Sequence, residues 1–435
     1  MTPVSKFAMA LSLAALSVSS VSAAWAAEEK PKKEEKAKKG KKAEEAKPQG
    51  QFSKEFITAY TPTNDAYEKT KDYPKAKSLL PALIAAAISD DEKVQAGRLT
   101  YLIGAQVGDV PLQKQGIDLA LSSATIPLQT KAVFTFQRGA FASNEKNYVA
   151  AIPDLLAAYN DGYRGSNVEW LIASAYQQQN NNAEAISWYT KLVDSARAKN
   201  TLPEKAALSR ALELSAKMRD VAQVAYWGKE IIRAYPEPKV YRDAAMFYDR
   251  TAQLEGQESL DLMRLARLNK GLVLESDYRN FVESADPRRY PAEATAVINE
   301  GIAAGIILKS NSFFTEQLNA ASQADAVLRV GWDQDEKTAM GSAKGMQSSL
   351  FGDSMLSFSE YARAQKLYEA ALAKGGIIDK DGKDQTERTR LRLGIAKAMQ
   401  GDVAGAKADF AAVNEPRRKV IAEYWLIYLD QKSAV

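Results

Sequence analysis

Apolar residues recur every three or four positions along most of this chain, and short polar turns separate the apolar stretches. In GAFASNEKNYVAAIPDLLAAY, residues 139–159, small and apolar side chains stand on both sides of a polar turn at 144–147. This spacing predicts two amphipathic helices joined by a turn. Helical periodicity dominates everywhere, without the strict alternation of half-buried strands, so we predict an all-α protein.

The same pattern recurs along the chain. Thirty-four residues after Gly139, the segment ASAYQQQNNNAEAISWYTKLV, 173–193, places small, polar and bulky residues at matching positions. Two segments near the C-terminus, 352–375 and 394–413, follow the same template. A fixed period of this length is typical of repeat architectures, in which neighbouring units bury a shared core. The clearest units are 132–165, 166–199, 345–378 and 387–420.

The recurring positions have a packing explanation. Two helices can approach closely only where the residue between them is small, and a bulky residue on the second helix fills the space between units. We expect these residues to form the core rather than a site. The small residues are Gly139, Ala173, Gly352 and Gly394, and the bulky ones are Leu155, Tyr189, Tyr368 and Phe410.

These units resemble the tetratricopeptide repeat, a helix-turn-helix unit of about 34 residues. The resemblance implies a right-handed α-solenoid of stacked antiparallel helix pairs over 51–435, with roughly eight to eleven pairs, several of them degenerate. The chain departs from the family pattern because the usual proline after the second helix is absent from the four clearest units. Pro153 instead lies inside a helix, where it can cause a kink. Segments 298–307 and 391–413 are also similar to exported proteobacterial tetratricopeptide proteins of poorly defined role.

The first 26 residues have the pattern of a secretory signal peptide. One lysine, Lys6, precedes the apolar run FAMALSLAALSV, and small residues end the segment at AAWA. We predict cleavage after Ala26, with Ala23 as the second choice, and the alternative is an uncleaved N-terminal anchor. The prediction places the protein in the periplasm, and no other apolar run is long enough to span a membrane.

Residues 27–50 are predicted to be a disordered Lys/Glu-rich linker. From 28 to 50 the chain holds 9 lysines and 6 glutamates and no apolar side chain larger than alanine. Such a segment cannot bury enough surface to order itself. A solubilising linker is one interpretation, and a basic arm that touches anionic lipid or polymer is the other.

From residue 51 onward the chain carries 48 basic and 48 acidic residues. A neutral body lacks the basic footprint of a nucleic-acid-binding protein. The chain also contains neither cysteine nor histidine. These absences exclude disulfides, the lipid-bearing cysteine of a lipoprotein, Ser-His-Asp and Cys-His nucleophilic sites, and histidine-ligated zinc. We therefore expect no catalytic residues, no cofactor and no metal.

The loop at 375–385 resembles a calcium-binding loop and a phosphate-binding loop, but it lacks the residue spacing of both. The segment DKDGKD, 379–384, suggests a calcium loop, but the first and twelfth ligand positions fall on Ile377 and Arg388. Gly376 and Gly382 enclose five residues rather than four, so the segment is not a phosphate-binding loop. An inserted surface loop is the simpler interpretation.

An alternative function is a cell-wall glycan-binding or lytic-transglycosylase-like protein. The segment GSAKGMQSS, 341–349, is similar to the Gly-Met-Gln segment of lytic transglycosylases, which use a Glu followed by Ser as general acid. That dipeptide occurs at Glu275 and at Glu283. Both dipeptides lie almost sixty residues or more before 341–349, far beyond the family's spacing. The segment also falls in phase with the repeat of Gly352.

The groove pattern of the resembled family predicts where a partner would bind. This surface lacks the Lys/Asn/Arg set that clamps a C-terminal carboxylate in chaperone-binding members. We predict an interaction scaffold for a protein or peptide partner, in a cell-envelope complex, because exposed aromatic and amide groups suit an extended peptide or a helix. The predicted groove residues are Val133, Phe136, Ala140 and Ser143 in one unit and Asn167, Trp170, Ser174 and Gln177 in the next.

Overall fold

A computed structural model describes residues 52–165 and 167–433. The predicted signal peptide at 1–26 and the predicted linker at 27–50 lie outside the described residues. Within the described residues, the chain forms 21 α-helices and a single isolated bridge between Ile378 and Asp384. Successive helices pack on one another, so the fold is an all-α solenoid of adjacent helix pairs.

The helices are numbered here in chain order. The first ten are α1 (Lys54–Glu68), α2 (Tyr73–Ala86), α3 (Asp90–Gln106), α4 (Val110–Leu121), α5 (Leu128–Asn144), α6 (Tyr148–Asn160), α7 (Val168–Gln178), α8 (Asn182–Ala198), α9 (Lys205–Lys217) and α10 (Val221–Ala234). The remaining eleven are α11 (Pro238–Ala252), α12 (Gly256–Leu268), α13 (Glu275–Ala285), α14 (Pro291–Ala303), α15 (Ser312–Leu328), α16 (Trp332–Gly341), α17 (Gly345–Ser357), α18 (Tyr361–Lys374), α19 (Thr386–Met399), α20 (Val403–Ala411) and α21 (Pro416–Ser433).

The turns inside six of the helix pairs share one construction. A residue with positive φ ends the first helix, and the next residue is an Asp or Asn whose side chain accepts a hydrogen bond from the backbone of the second helix. This cap satisfies an N–H that would otherwise lack a partner, and it sets where the second helix begins. The capping residues are Asp72, Asp109, Asn147, Asn181, Asp220 and Asp402.

Small residues on the first helices face bulky residues on the second helices. A Cβ atom added to Gly139 would lie 2.9 Å from Leu155, one added to Gly352 would lie 2.8 Å from Tyr368, and one added to Gly394 would lie 2.7 Å from Phe410. These distances are too short for any side chain larger than hydrogen. The glycines therefore let the paired helices approach, and the bulky residues fill the space that remains.

The C-terminal helix contacts helices that are distant from it in sequence as well as its neighbours. Helix α21 packs against its neighbours α19 and α20, and also against α10 and α12, which lie far earlier in the chain. Tyr241 Oη donates a hydrogen bond of 2.7 Å to Gln431 Oε1, and Tyr248 Oη donates one of 3.2 Å to the Arg417 carbonyl. The end of the chain is thus bound to its middle. Among the described residues, no helix is long and apolar enough to cross a membrane.

At the other end, one buried carboxylate attaches α1 to α3. Glu92 is 1 % exposed, and it accepts hydrogen bonds from the Ser53 backbone and hydroxyl, both at 2.7 Å, and from the backbone of Ile88 and Ser89. Burial alone would raise its pKa, but these donors stabilise the charged form and lower the pKa to about 2.

We expect Glu92→Gln to destabilise the N-terminal helices by about 1–3 kcal/mol at neutral pH, because buried donors lose a charged acceptor. A depressed pKa contributes stability above the unfolded value of about 4.3, and this stability is lost as the pH falls through about 2. In urea unfolding, the wild type should therefore have a higher free energy of unfolding than the variant at pH 7, and the two values should be similar at pH 2. Glu55→Gln, at an exposed site on α1, is the matched control.

Candidate functional site

The predicted groove residues of the first unit lie on α5, and they differ in their exposure to solvent. Val133, Ala140 and Ser143 are partly exposed. Phe136 is only 2 % exposed, and its ring stacks on Tyr163 with 4.3 Å between the ring centroids. The loop after α6 carries Tyr163 over α5 and covers Phe136. Phe136 is therefore a core residue in this conformation, and its ring offers no free face to a partner.

The predicted groove residues of the second unit lie on or next to α7. Asn167 is exposed and precedes the helix with a φ of 53°. Trp170 is partly exposed and meets Tyr189 edge to face, with 5.4 Å between the ring centroids. Ser174 and Gln177 are partly exposed one and two turns further along the helix. The Gln177 side chain accepts a hydrogen bond of 3.0 Å from the Tyr189 hydroxyl, which fixes its orientation.

Aromatic and cationic side chains next to these helices were not predicted as part of the site. Tyr159 meets Trp188 edge to face at 4.9 Å, and the Arg164 guanidinium lies 3.8 Å from the centre of the Tyr159 ring. On the other side, the Lys191 ammonium lies 3.6 Å from the centre of the Trp188 ring. Aromatic and arginine side chains are enriched at contact surfaces between proteins, and cations are attracted to aromatic ring faces. Their density in 159–191 is visible in the sequence, but their mutual contacts are not.

A second unpredicted feature is a group of charged residues in the interior, here called the buried ion network. It consists of three carboxylates and three guanidinium groups on four helices: Asp261 and Arg264 on α12, Glu293 on α14, Asp353 on α17, and Arg388 and Arg392 on α19.

Arg392 is the centre of the network and is fully buried. Its Nε lies 3.0 Å from Asp261 Oδ1, and its Nη1 lies 2.8 Å from Asp353 Oδ1. Asp353 also accepts a hydrogen bond of 2.9 Å from the Tyr368 hydroxyl. The guanidinium group of α19 thus binds carboxylates on both α12 and α17, and its contact with Asp261 spans 131 residues of sequence.

Arg264 forms the second half of the network. Its guanidinium binds Glu293 through two parallel hydrogen bonds, of 2.8 Å from Nε and 2.6 Å from Nη2. Its Nη1 donates a bond of 2.6 Å to Asp261, which therefore bridges Arg264 and Arg392. Paired hydrogen bonds of this kind hold a guanidinium and a carboxylate in one orientation. The network thereby sets the position of α14 as well as that of α19.

The pKa values follow from this pairing. Burial alone would raise the pKa of Asp353, but the charges of Arg392 and Arg388 outweigh it and hold that pKa well below its ordinary value. Burial also raises the pKa of Tyr368 well above its ordinary value, and the neighbouring Asp353 charge adds to this effect. Asp353 is therefore ionised and the Tyr368 phenol is neutral at neutral pH. Paired and permanently charged groups suit a structural role rather than proton transfer.

A cavity of about 500 Å³ lies beside the network, between the middle helices and the C-terminal helices. Arg267 at its wall is paired with Glu300, with 2.9 Å between Nε and Oε2. The aromatic residues Phe358 and Tyr361 line the opposite side. The guanidinium groups of Arg264 and Arg267 are already paired within the chain, and Lys270 also lines the cavity.

The two Glu-Ser dipeptides of the glycan alternative lie on α13, and the Gly-Met-Gln segment lies on α17. Glu283 is exposed on α13, and Glu275 pairs with Arg279 at 3.7 Å. Both residues are accessible to solvent, whereas the general acid of a glycosidase is enclosed in an apolar pocket that raises its pKa. The Gly-Met-Gln segment opens α17, where the Gly345 N–H donates a hydrogen bond of 2.7 Å to the Gly375 carbonyl. The segment contributes to helix packing there.

The loop that resembles a calcium site is closed by its own backbone. Asp379 Oδ1 accepts hydrogen bonds of 3.0 Å from Asp381 N and 2.9 Å from Lys383 N. These bonds occupy the carboxylate oxygen that a cation would need. No group of three or more Asp or Glu residues within 52–165 and 167–433 is arranged to hold a metal ion.

Solved structures of other proteins resemble this chain. A chain of the solved complex of Naa15 and Naa10 bound to HypK-THB is similar to this chain at 14 % sequence identity, with a TM-score of 0.41. The similarity covers 87 % of this chain and 60 % of that chain. This chain thus spans less than two thirds of the length of that neighbour. No family model and no curated protein matches the sequence.

Proposed function

We propose that this chain is a protein-interaction scaffold without a catalytic centre of its own, and that a protein or peptide partner binds along α5 and α7. The observation that carries the proposal is Trp170, a large aromatic side chain that stays partly exposed while Tyr189 holds its ring in place. A preoriented aromatic ring contributes contact area at a low cost in conformational entropy.

The polar residues around Trp170 support an extended or helical partner. Asn167, Ser174 and Gln177 provide donors and acceptors on the same helix, and Val133 and Ser143 provide partly exposed positions on α5. Tyr163 takes the place that the sequence pattern assigned to Phe136, because its ring forms the outer layer there. The proposed surface is therefore Val133, Ser143, Tyr163, Asn167, Trp170, Ser174 and Gln177.

In-cell photo-crosslinking tests this surface. A photoreactive phenylalanine analogue at position 170 should give a discrete crosslinked product, whereas the same analogue at Val149 should not. Val149 is 77 % exposed on α6, a second helix, so it controls for chance encounters. Trp170→Ala should keep the helix content and weaken recovery of the same partner in a pull-down about tenfold or more, because central aromatic residues contribute most of the binding energy of an interface. Equal crosslinking at both positions would contradict the proposed surface.

We also propose that this scaffold acts in the periplasm. The support is the sequence pattern of residues 1–26, which has the charged, apolar and small-residue regions of a signal peptide. The mass of the protein recovered from cells should correspond to a chain that begins at Ala27, and fractionation should place it in the periplasm. A full-length mass in the cytosolic fraction would contradict this location.

A further inference from the structure

Two exposed cations lie on aromatic rings outside the proposed partner surface. Arg164 belongs to the loop after α6, and Lys191 lies on α8. The Arg164 guanidinium lies 3.8 Å, and the Lys191 ammonium 5.8 Å, from the centre of the same ring, that of Tyr159. Lys191 also lies 3.6 Å from the centre of the Trp188 ring, which meets Tyr159 edge to face. These four residues are here called the cationic platform.

The Arg164 guanidinium is held in one orientation, and one of its edges stays open. Its Nη1 donates hydrogen bonds of 2.5 Å to the Tyr159 carbonyl and 2.8 Å to the Tyr163 carbonyl. Its Nε and Nη2 form no hydrogen bond with the described residues. On α5, the same edge of Arg138 binds a carboxylate, because Nε and Nη2 donate to the two oxygens of Asp154 at 2.8 and 2.7 Å. The open edge of Arg164 can therefore bind a carboxylate through two parallel hydrogen bonds.

Neither cation of the platform forms an ion pair with a carboxylate of the described residues. The acids nearest to them in sequence belong to other pairs: Asp161 binds Lys131 at 3.3 Å, and Asp194 binds Arg197 at 3.2 Å. The chain from residue 51 onward is neutral as a whole. The platform therefore carries two positive charges that no neighbouring acid neutralises, and these charges are complementary to an anionic ligand.

The size of the platform favours an acidic peptide over other anionic ligands. Both cations lie near one ring, so acids two residues apart in an extended peptide, which are separated by roughly 7 Å, can reach both of them. Recognition of anionic lipid generally uses clusters of about four to eight basic residues, whereas the platform has two. A nucleic acid would require a broad basic surface, which a neutral body lacks.

We propose that the cationic platform binds an acidic segment of a protein partner. One carboxylate of the segment binds the Nε and Nη2 edge of Arg164, and a second carboxylate, two residues along, binds the Lys191 ammonium. Tyr159 and Trp188 are positioning residues, because their rings hold the two cations in place. The proposal does not rest on the function proposed for α5 and α7, since the platform belongs to α6, α8 and the loop after α6.

An NMR titration of the full chain tests the ligand chemistry. The probe is acetyl-Glu-Ala-Glu-Ala-Glu-amide, and the control peptide has Gln in place of each Glu. The acidic peptide should shift the Nε–H signal of Arg164, which is assigned by its loss in Arg164→Gln, and the Gln peptide should not. Added salt should weaken the binding, because both contacts are exposed ion pairs. No shift with the acidic peptide, or an equal shift with the Gln peptide, would overturn the proposal, as would chain that sediments with phosphatidylglycerol vesicles but does not bind the peptide.

Substitutions distinguish the platform from a general attraction between opposite charges. Lys191→Gln should weaken binding of the acidic peptide about twofold to fivefold. Lys199→Gln is the matched control, at an exposed position directly after α8, and should keep wild-type affinity. Equal losses in these two variants, or wild-type affinity in Lys191→Gln, would refute the site.

Tyr159 tests the positioning role of the ring. Tyr159→Phe should keep wild-type affinity for the acidic peptide, whereas Tyr159→Leu should lower it, because only phenylalanine keeps a ring against the guanidinium. Circular dichroism checks that both variants are folded. Equal affinities in folded Tyr159→Phe and Tyr159→Leu would refute the positioning role.

Discussion

Replacing Arg392 by methionine is expected to destabilise the protein by about 3–5 kcal/mol. The guanidinium is fully buried and bonds Asp261 and Asp353, both of which are themselves buried. Methionine fills a similar volume but leaves these carboxylates without their shared partner, and uncompensated charges in the interior are costly. Urea unfolding gives the change in free energy. Hydrogen exchange should show faster opening of α12, α17 and α19.

Arg390→Ala on the same helix is the matched control for Arg392→Met. Arg390 pairs with Glu387 at 2.9 Å near the surface, where an ion pair contributes about 1 kcal/mol or less. A loss for Arg392→Met no larger than that of Arg390→Ala would show that the buried ion network does not hold the helices together.

The network also predicts a response to acid. Asp353 has a depressed pKa in the folded protein, so its contribution to stability is complete above the unfolded value of about 3.9 and declines as the pH falls below it. The Arg392→Met variant loses this charge partner. Its unfolding free energy should therefore depend less steeply on pH below about 4 than that of wild type.

Replacing Trp425 by alanine should have the second large effect, a loss of about 3–5 kcal/mol. Trp425 is 1 % exposed on α21, its ring stacks on Phe410 at 5.8 Å, and its Nε1 donates a hydrogen bond of 3.3 Å to the Asp261 carbonyl. Its truncation leaves a large cavity where the C-terminal helix meets the middle of the chain. We expect hydrogen exchange to increase in α10 and α12 as well as in α21.

Lys419→Ala is the control for Trp425→Ala, because Lys419 is exposed on the same helix. Its exchange pattern should match that of wild type. Unchanged protection of α10 in Trp425→Ala would mean that α21 does not stabilise the middle of the chain. Gly228 gives independent geometric support for the contact, since a Cβ atom added there would lie 2.0 Å from the Tyr424 hydroxyl.

The fold class follows from local patterns that a single sequence contains. The all-α solenoid was predicted from helical periodicity and from recurring small and bulky residues, and the structure confirms it. The phase of the repeat is blurred in the sequence outside 132–199 and 345–413, including the part before residue 132. The turn caps Asp72 and Asp109 carry that phase, because each follows a residue of positive φ and begins the second helix of a pair.

The surface of a solenoid is harder to predict than its core. The groove pattern predicts partner-binding residues at equivalent positions of α5 and α7. In the structure, however, Phe136 is buried and Trp170 is partly exposed. The difference comes from one loop residue, Tyr163, whose position depends on how the connection after α6 crosses α5. The partner-binding role of the groove residues stays a prediction.

The sequence by itself determined the helical repeat, because periodicity, caps and small-on-large contacts involve residues close together in the chain. Only the tertiary structure decided which distant residues meet. Arg392 reaches Asp261 across 131 residues, and Tyr241 reaches Gln431 across 190 residues. The physical reason is that small rotations between successive helix pairs accumulate along the array. Their sum positions α21 on α10 and α12, and no local pattern encodes that sum.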